Sequence, residues 1–352
     1  MTTTTQPQTT AGSVRVDRDR GRAMLAVGLA LVALVALAAA PYFIGPGITT
    51  DWGNLFYLVT LASMWNLLAG YAGMLSVGQQ GFIGLGAYGV FVFNDRGVNP
   101  YLSAVIAAAV VAAIAFPVSY LAFRLRGGYF AIGTWVIAEV MRQIIVRFES
   151  LGAGKGRTIS AYTEDPILRK AYTYWLALGV MAVALAAGYA LLRSRTGLAL
   201  QSIRDNEPAA GAVGIRVSRV KRLVFIASAA GCAAAGAVIC IRSLGVAQPN
   251  EIFGVGYSAI MIFAVVIGGI GTIEGPVVGA VVYYLLDKYF GQSGVWYFVG
   301  LGLVAILVTL FLPKGIWGEL ASRWHLSLLP VGYRTRSTPH PTGWLTARDH
   351  RP

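Results

Sequence analysis

The sequence predicts an all-α fold: a polytopic integral membrane bundle of about 8–10 transmembrane helices, some of them broken or re-entrant. Three observations carry this prediction. Of 352 residues, 56% are hydrophobic and only 12% charged, with a mean hydropathy of +0.65, whereas soluble domains usually carry about 25% charged residues. Apolar runs near the ~20 residues that cross a bilayer recur along the chain. Glycine is abundant, at 43 residues, which suits close helix packing in lipid. The same figures exclude a disordered chain. The net charge of +13 would suit a nucleic-acid binder, but the hydropathy does not.

Taken in order, residues 1–22, rich in Thr, Gln and Arg, are expected to form a disordered cytoplasmic tail. They lack the short apolar core and adjoining small-residue site of a secretory signal. Cleavage after Leu37-Ala38-Ala39-Ala40 is the alternative. The membrane domain, 23–318, carries spans at about 24–40, 53–71, 82–94, 100–123, 129–148, 172–192, 223–242, 254–270, 276–290 and 295–312. Runs 82–94 and 276–290 are short, as broken or re-entrant elements are, and these need protein or a cavity around their backbone. With the N-terminus inside, ten spans place both termini in the cytoplasm. Basic residues then lie inside by more than two to one, as topology rules require. Arg193, Arg195, Arg204, Arg216, Arg219, Lys221 and Arg222 all fall in 193–222, the longest polar segment between spans. Residues 319–352, with Pro330, Pro339, Pro341 and Pro352, read as a cytoplasmic C-terminal tail.

Two motif look-alikes fail on context. Gly84-Leu85-Gly86-Ala87-Tyr88-Gly89 has dinucleotide-loop spacing but lies in an apolar run, with no strand before it. Small residues at a helix contact explain it better. Gly152 to Thr158 resembles a phosphate loop, yet Lys155 is followed by glycine. Cys232 and Cys240 lie eight residues apart, about 12 Å along a helix, so they read as small packing residues. His325, His340 and His350 are confined to the C-terminal region, and no cluster has metal-ligand spacing. An intramembrane enzyme therefore has little support.

Charged residues within spans are functional candidates by default. Glu139 and Arg142, three apart on one helix, share a face, and Trp135 and Gln143 extend their stripe. The stripe is expected to face the bundle interior or a wet cavity. It serves either as an ion pair that fixes packing or as the lining of a translocation path. Glu274 sits in Gly268-Gly269-Ile270-Gly271-Thr272-Ile273-Glu274-Gly275-Pro276, which breaks a helix. Gly70 to Gly81 is a similar break and contains Gln79 and Gln80. Broken helices line paths in transporters, so Gln79, Gln80 and Glu274 join Trp135, Glu139, Arg142 and Gln143 as candidate path residues.

In 196–215, Asp205 or Asn206 can cap a short helix starting near Pro208, with Gly214 as its stop. That helix is either a surface segment attracted to anionic lipid or a dock for a soluble partner.

These segments resemble the LivM-type permease subunit of branched-chain amino acid ABC importers. The resemblance rests on Gly73-Met74-Leu75-Ser76-Val77-Gly78-Gln79-Gln80-Gly81-Phe82 with Gly86-Ala87-Tyr88, and on Tyr129 to Thr134. It rests also on Ser202-Ile203-Arg204-Asp205-Asn206-Glu207, on Gly268 to Thr272 with Gly275-Pro276, and on Leu312-Pro313-Lys314-Gly315. It covers about 50–318 and implies a membrane permease without an ATPase site or cofactor of its own. ATP and Mg would be held by two cytoplasmic ATPase subunits. It also implies a second, different permease chain and an extracytoplasmic binding protein, all at the inner membrane. Glu207, Ala209, Ala210 and Gly214 correspond to the coupling loop that enters the ATPase, with Arg204, Asp205 and Asn206 beside them. Gly152-Ala153-Gly154-Lys155-Gly156 departs from the family's Gly-Gly outer segment, a departure that bears on the solute. Urea and short-amide permeases are the near alternative. A self-sufficient ion-coupled carrier is the alternative from another class.

Overall fold

A computed structural model describes residues 14–17, 20–159, 165–243, 247–324 and 334–337. The helices are α1 (Arg20–Phe43), α2 (Pro46–Asn66), α3 (Gln79–Asn94), α4 (Pro100–Ala122), α5 (Gly128–Arg147), α6 (Pro166–Arg193) and α7 (Arg195–Asp205). They continue with α8 (Glu207–Ala212), α9 (Val217–Arg242), α10 (Pro249–Ile252), α11 (Gly256–Gly268), α12 (Gly275–Phe290), α13 (Val295–Phe311) and α14 (Gly315–Trp324). α2 runs on into a π-helical turn, Leu67–Tyr71.

Each expected span coincides with a helix: α1 to α6, α9, α11, α12 and α13. Among the described residues, seven helical stretches are long and apolar enough to cross a membrane unaided. α3 and α12, the two expected short elements, have 16 residues each, about 24 Å at 1.5 Å per residue. That is below the ~30 Å hydrocarbon thickness, so the surrounding bundle must shield their ends.

Polar contacts sort into two layers, as alternating spans require. At one end Lys288 pairs with Asp51 at 2.7 Å and Arg157 with Asp95 at 2.7 Å. At the other, Lys221 pairs with Glu207 at 2.6 Å and Arg222 donates to the Tyr120 hydroxyl at 2.9 Å. The second is called the elbow end below, because it carries α7 and α8. The segment that resembles a phosphate loop lies at the opposite end. There Gly152, Gly154 and Gly156 hold positive φ, and Arg157 forms a backbone bridge with Ala247.

Local chemistry sets the helix boundaries. Asn99 caps α4 by accepting from the Tyr101 amide at 2.9 Å, with Pro100 in the first turn. Pro41 lies inside α1 and has no N–H to offer the Leu37 carbonyl four residues back. The Tyr174 hydroxyl of α6 takes that carbonyl at 2.7 Å, and Trp175 Nε1 donates to Ala38 O at 3.0 Å. Such outside partners are what make proline tolerable in a membrane helix.

The two halves grip each other. α2 packs on α6, α11 and α12, while α9 packs on α3 and α4. The α3–α9 crossing depends on missing side chains. A Cβ on Gly86 would stand 2.0 Å from the Ala233 carbonyl, and one on Gly236 would stand 2.0 Å from the Ile83 carbonyl. The small-residue reading of 84–89 therefore holds, and Cys232 and Cys240 are free, buried packing residues of α9. We expect Gly86→Leu to destabilise the bundle by more than the ~1–3 kcal/mol of ordinary overpacking, because backbone blocks the space. Thermal aggregation in detergent, compared with Gly188→Leu at an open position, measures this.

Of the expected disordered tails, Val14–Asp17 and Arg334–Ser337 form a short antiparallel strand pair, which brings the two tails together. The rest of both tails lies largely outside the described residues, including His325, His340 and His350.

Candidate functional site

The path candidates do not form one group. Gln79 and Gln80 begin α3, and both are fully buried. Gln80 accepts from Ser258, while Gln79 lies within reach of Ser76 and Ser228 at 3.4 and 3.5 Å. They stitch α3 to α9 and α11. Glu274 is half-buried, just before α12 at the elbow end, and lies apart from the stripe on α5.

Trp135, Glu139 and Gln143 are on one exposed face of α5, with Arg142 beside them. Arg142 Nε donates to both Glu139 oxygens at 2.9 and 3.1 Å, and Gln143 Nε2 donates to Glu139 Oε1 at 3.0 Å. The remaining arm of Arg142 reaches α10, where Nη1 donates to Asn250 Oδ1 at 2.6 Å. A groove of about 470 Å³ runs over Trp135, Val136, Glu139, Val140, Gln143, Ile144 and Arg147. Of the two expectations, the bundle interior and a wet cavity, the first does not hold within this chain. The stripe looks out of the chain, because the inward face of α5 is taken by Phe130, Thr134, Ala138 and Met141. Sequence periodicity identified the stripe, but it could not tell a neighbour in the same chain from a neighbour in another. Ion-pairing within one helix neutralises the charges, yet a polar face at membrane depth still needs a non-lipid neighbour.

The second group is the elbow at 194–215. A single short helix was expected; the chain forms two. Ser194 caps α7 by accepting from the Thr196 amide at 3.1 Å. α7 buries Gly197, Leu200 and Ile203. A Cβ on Gly197 would stand 1.9 Å from the Leu192 carbonyl, which fixes the sharp turn out of α6. Asn206, not Asp205, caps α8, accepting from the Ala209 amide at 3.1 Å, and Pro208 sits in the first turn as expected. Gly214 closes the elbow at φ +89°, where only glycine is unstrained. Glu207 is held by Lys221 at 2.6 Å. Ala210 is buried, whereas Ala209, Gly211, Ala212 and Val213 stay exposed, Val213 at 77%. The tip is thus a small, smooth, apolar knob on a polar surface. Arg204 is turned the other way: its Nη1 donates to the Gly70 carbonyl at 2.6 Å. Asp205 remains on the surface.

Among the described residues no group of three or more His, Cys, Asp or Glu could hold a metal ion. The arrangement is suited to two mechanical tasks, presenting a knob at one face and a polar stripe along a span.

Comparison with known proteins supplies the context. The family described as branched-chain amino acid transport system / permease component matches residues 48–310. The high-affinity branched-chain amino acid transport system permease protein LivM of Escherichia coli is 27% identical over 318 residues, covering 82% of this chain and 74% of its own. BraD of Pseudomonas aeruginosa, a permease protein of the same kind of system, is 34% identical over 133 residues, 36% of this chain and 41% of its own. The ribose import permease protein RbsC of Escherichia coli is 31% identical over 134 residues, again 36% of this chain and 41% of its own. No solved structure matches the chain.

Proposed function

Because the chain belongs to the family of permease components of branched-chain amino acid transport systems, we propose that it carries branched-chain or related amino acids inward through a path shared with a second permease chain. The observation that carries this reading is the stripe of Trp135, Glu139, Arg142 and Gln143 on the outward face of α5. A second permease laid over the largely apolar 470 Å³ groove would shield the Glu139–Arg142 pair from lipid and leave a solute-sized space between the chains. Charged and amide groups spaced along a helix suit the carboxylate and ammonium of an amino acid.

The elbow supplies the energy connection. Its knob of Ala209, Ala212 and Val213 is shaped to enter a cleft on a soluble ATPase, and the Lys221–Glu207 pair braces it against α9. The elbow end is then the cytoplasmic face, and both tails lie on that side. A binding protein on the opposite face would deliver the solute. The basic residues crowded on the elbow agree with a cytoplasmic placement.

The test is reconstitution. This chain, a second permease, the ATPase chains and a binding protein are placed in vesicles, and leucine uptake is followed. Uptake should require ATP and the ATPase chains, and be indifferent to an imposed proton or sodium gradient. Uptake driven by an ion gradient alone would sink the proposal. Urea uptake without leucine uptake would move it to the short-amide branch.

A further inference from the structure

Asn66, at the elbow end of α2, carries no sequence motif, yet it is buried and bonded at both ends of its amide. Its Nδ2 donates to the Thr272 carbonyl at 2.7 Å, and its Oδ1 accepts from the Gly271 amide at 2.9 Å. One side chain thus grips the backbone of the break between α11 and α12. The two glycine-rich breaks meet here. A Cβ on Gly70 would stand 2.6 Å from the Gly271 nitrogen, so only glycine lets the segments touch.

Arg204 reaches into this seam from the last turn of α7. Its guanidinium donates to the Gly70 carbonyl at 2.6 Å, and the same nitrogen lies 2.7 Å from where a Gly271 Cβ would be. Gly70 belongs to the π-helical turn, a form of helix found mostly as single turns at functional sites. Beyond that turn, 72–78 leads into α3 and touches the stripe helix α5. The Val77 amide donates to Thr134 Oγ1 at 3.2 Å, and a Cβ on Gly81 would stand 2.9 Å from Ala138, the neighbour of Glu139.

We infer that Arg204 is a positioning residue that latches the elbow to both glycine breaks, so that a push on the elbow reaches α2, the α11–α12 junction and α5 together. This rests on the docking role proposed for the elbow. The contacts form a continuous physical route, and its coupling is what must be measured. A residue that merely closed off a carbonyl would affect stability without changing how ATP hydrolysis is converted into transport.

The experiment uses the full complex in vesicles and reads solute accumulated per ATP hydrolysed. Arg204→Ala should lower that ratio about 10-fold, within the 5–150-fold range of typical intersite couplings. Arg204→Lys, which keeps a cationic donor for Gly70, should restore most of it. An Ile132→Cys reporter on the exposed face of α5 gives a second readout, because both native cysteines are buried. Its reactivity should change on ATP binding in the otherwise unaltered chain and stay fixed with Arg204→Ala. An unchanged ratio, or a reporter that still responds, overturns the latch. Loss of the ATPase chains from the Arg204→Ala complex also overturns it, since Arg204 would then be a docking contact. Val213→Asp at the exposed tip tests docking alone: ATPase chains that stay bound and drive normal uptake would remove that reading, whatever Arg204 does.

Discussion

Arg142→Met should lower solute uptake about 100-fold at matched expression. Arg142 supplies three bonds to the Glu139 carboxylate and the link from α5 to Asn250. Without it, a carboxylate stands at membrane depth with only Gln143 as donor. An unpaired charge there costs about 2.5–3.5 kcal/mol on insertion scales, and each 1.4 kcal/mol is a factor of ten. The double variant Glu139→Gln/Arg142→Gln separates the two roles of the pair. If the charges only neutralise each other and hold α5 to α10, removing both restores uptake to within a few-fold of normal. We expect uptake to stay low, because the proposal makes the stripe the wall of the path. Recovery in the double variant would reduce the pair to a packing device.

Gly214→Pro should abolish uptake while leaving the spans inserted. Gly214 has φ +89°, and proline is fixed near −65°, so the elbow cannot close. The amide that bonds Gly211 O at 3.1 Å is lost as well. No atom lies within 4 Å of a Cβ at this position, which makes backbone conformation the sole obstacle. Gly214→Asn should therefore transport nearly as well as glycine, since asparagine tolerates the left-handed region. Co-purification of the ATPase chains with each variant checks this. Equal loss in the Asn and Pro variants would mean that a side chain, not a φ angle, is what the elbow rejects.

Much of the fold was legible because hydropathy is a property of the segment itself. A lipid-spanning helix needs an apolar run wherever it sits, so all ten runs correspond to helices. Capping is equally local, which is why Asn206, Pro208 and Gly214 could be read in place. What escaped the sequence depends on neighbours. Nothing local to Gln79 and Gln80 shows that Ser258 and Ser228 lie against them. The α5 stripe was expected to face the bundle interior or a wet cavity, and periodicity alone does not show that Phe130, Thr134, Ala138 and Met141 take the inward face. Asn66 gave no signal: a lone amide in an apolar run resembles any satisfied polar residue, and its partners are more than 200 residues away. α7 was hidden because Thr196 and Gly197 discourage a helix, and the Ser194 cap with burial of Leu200 and Ile203 overrides that preference.

The proline of α1 bears on a different question, that of azimuth. A helix of Leu, Ala and Val looks much the same to lipid from every side, so hydrophobicity leaves it free to spin about its own axis. By stripping the Leu37 carbonyl of its partner, Pro41 gives that cylinder a single marked meridian; Tyr174 reads the mark, and Trp175 takes the Ala38 carbonyl beside it. With Pro41→Ala the carbonyl would close on its own helix and the mark would vanish. The first helix would remain in the membrane, but its heading against α6 would no longer be set.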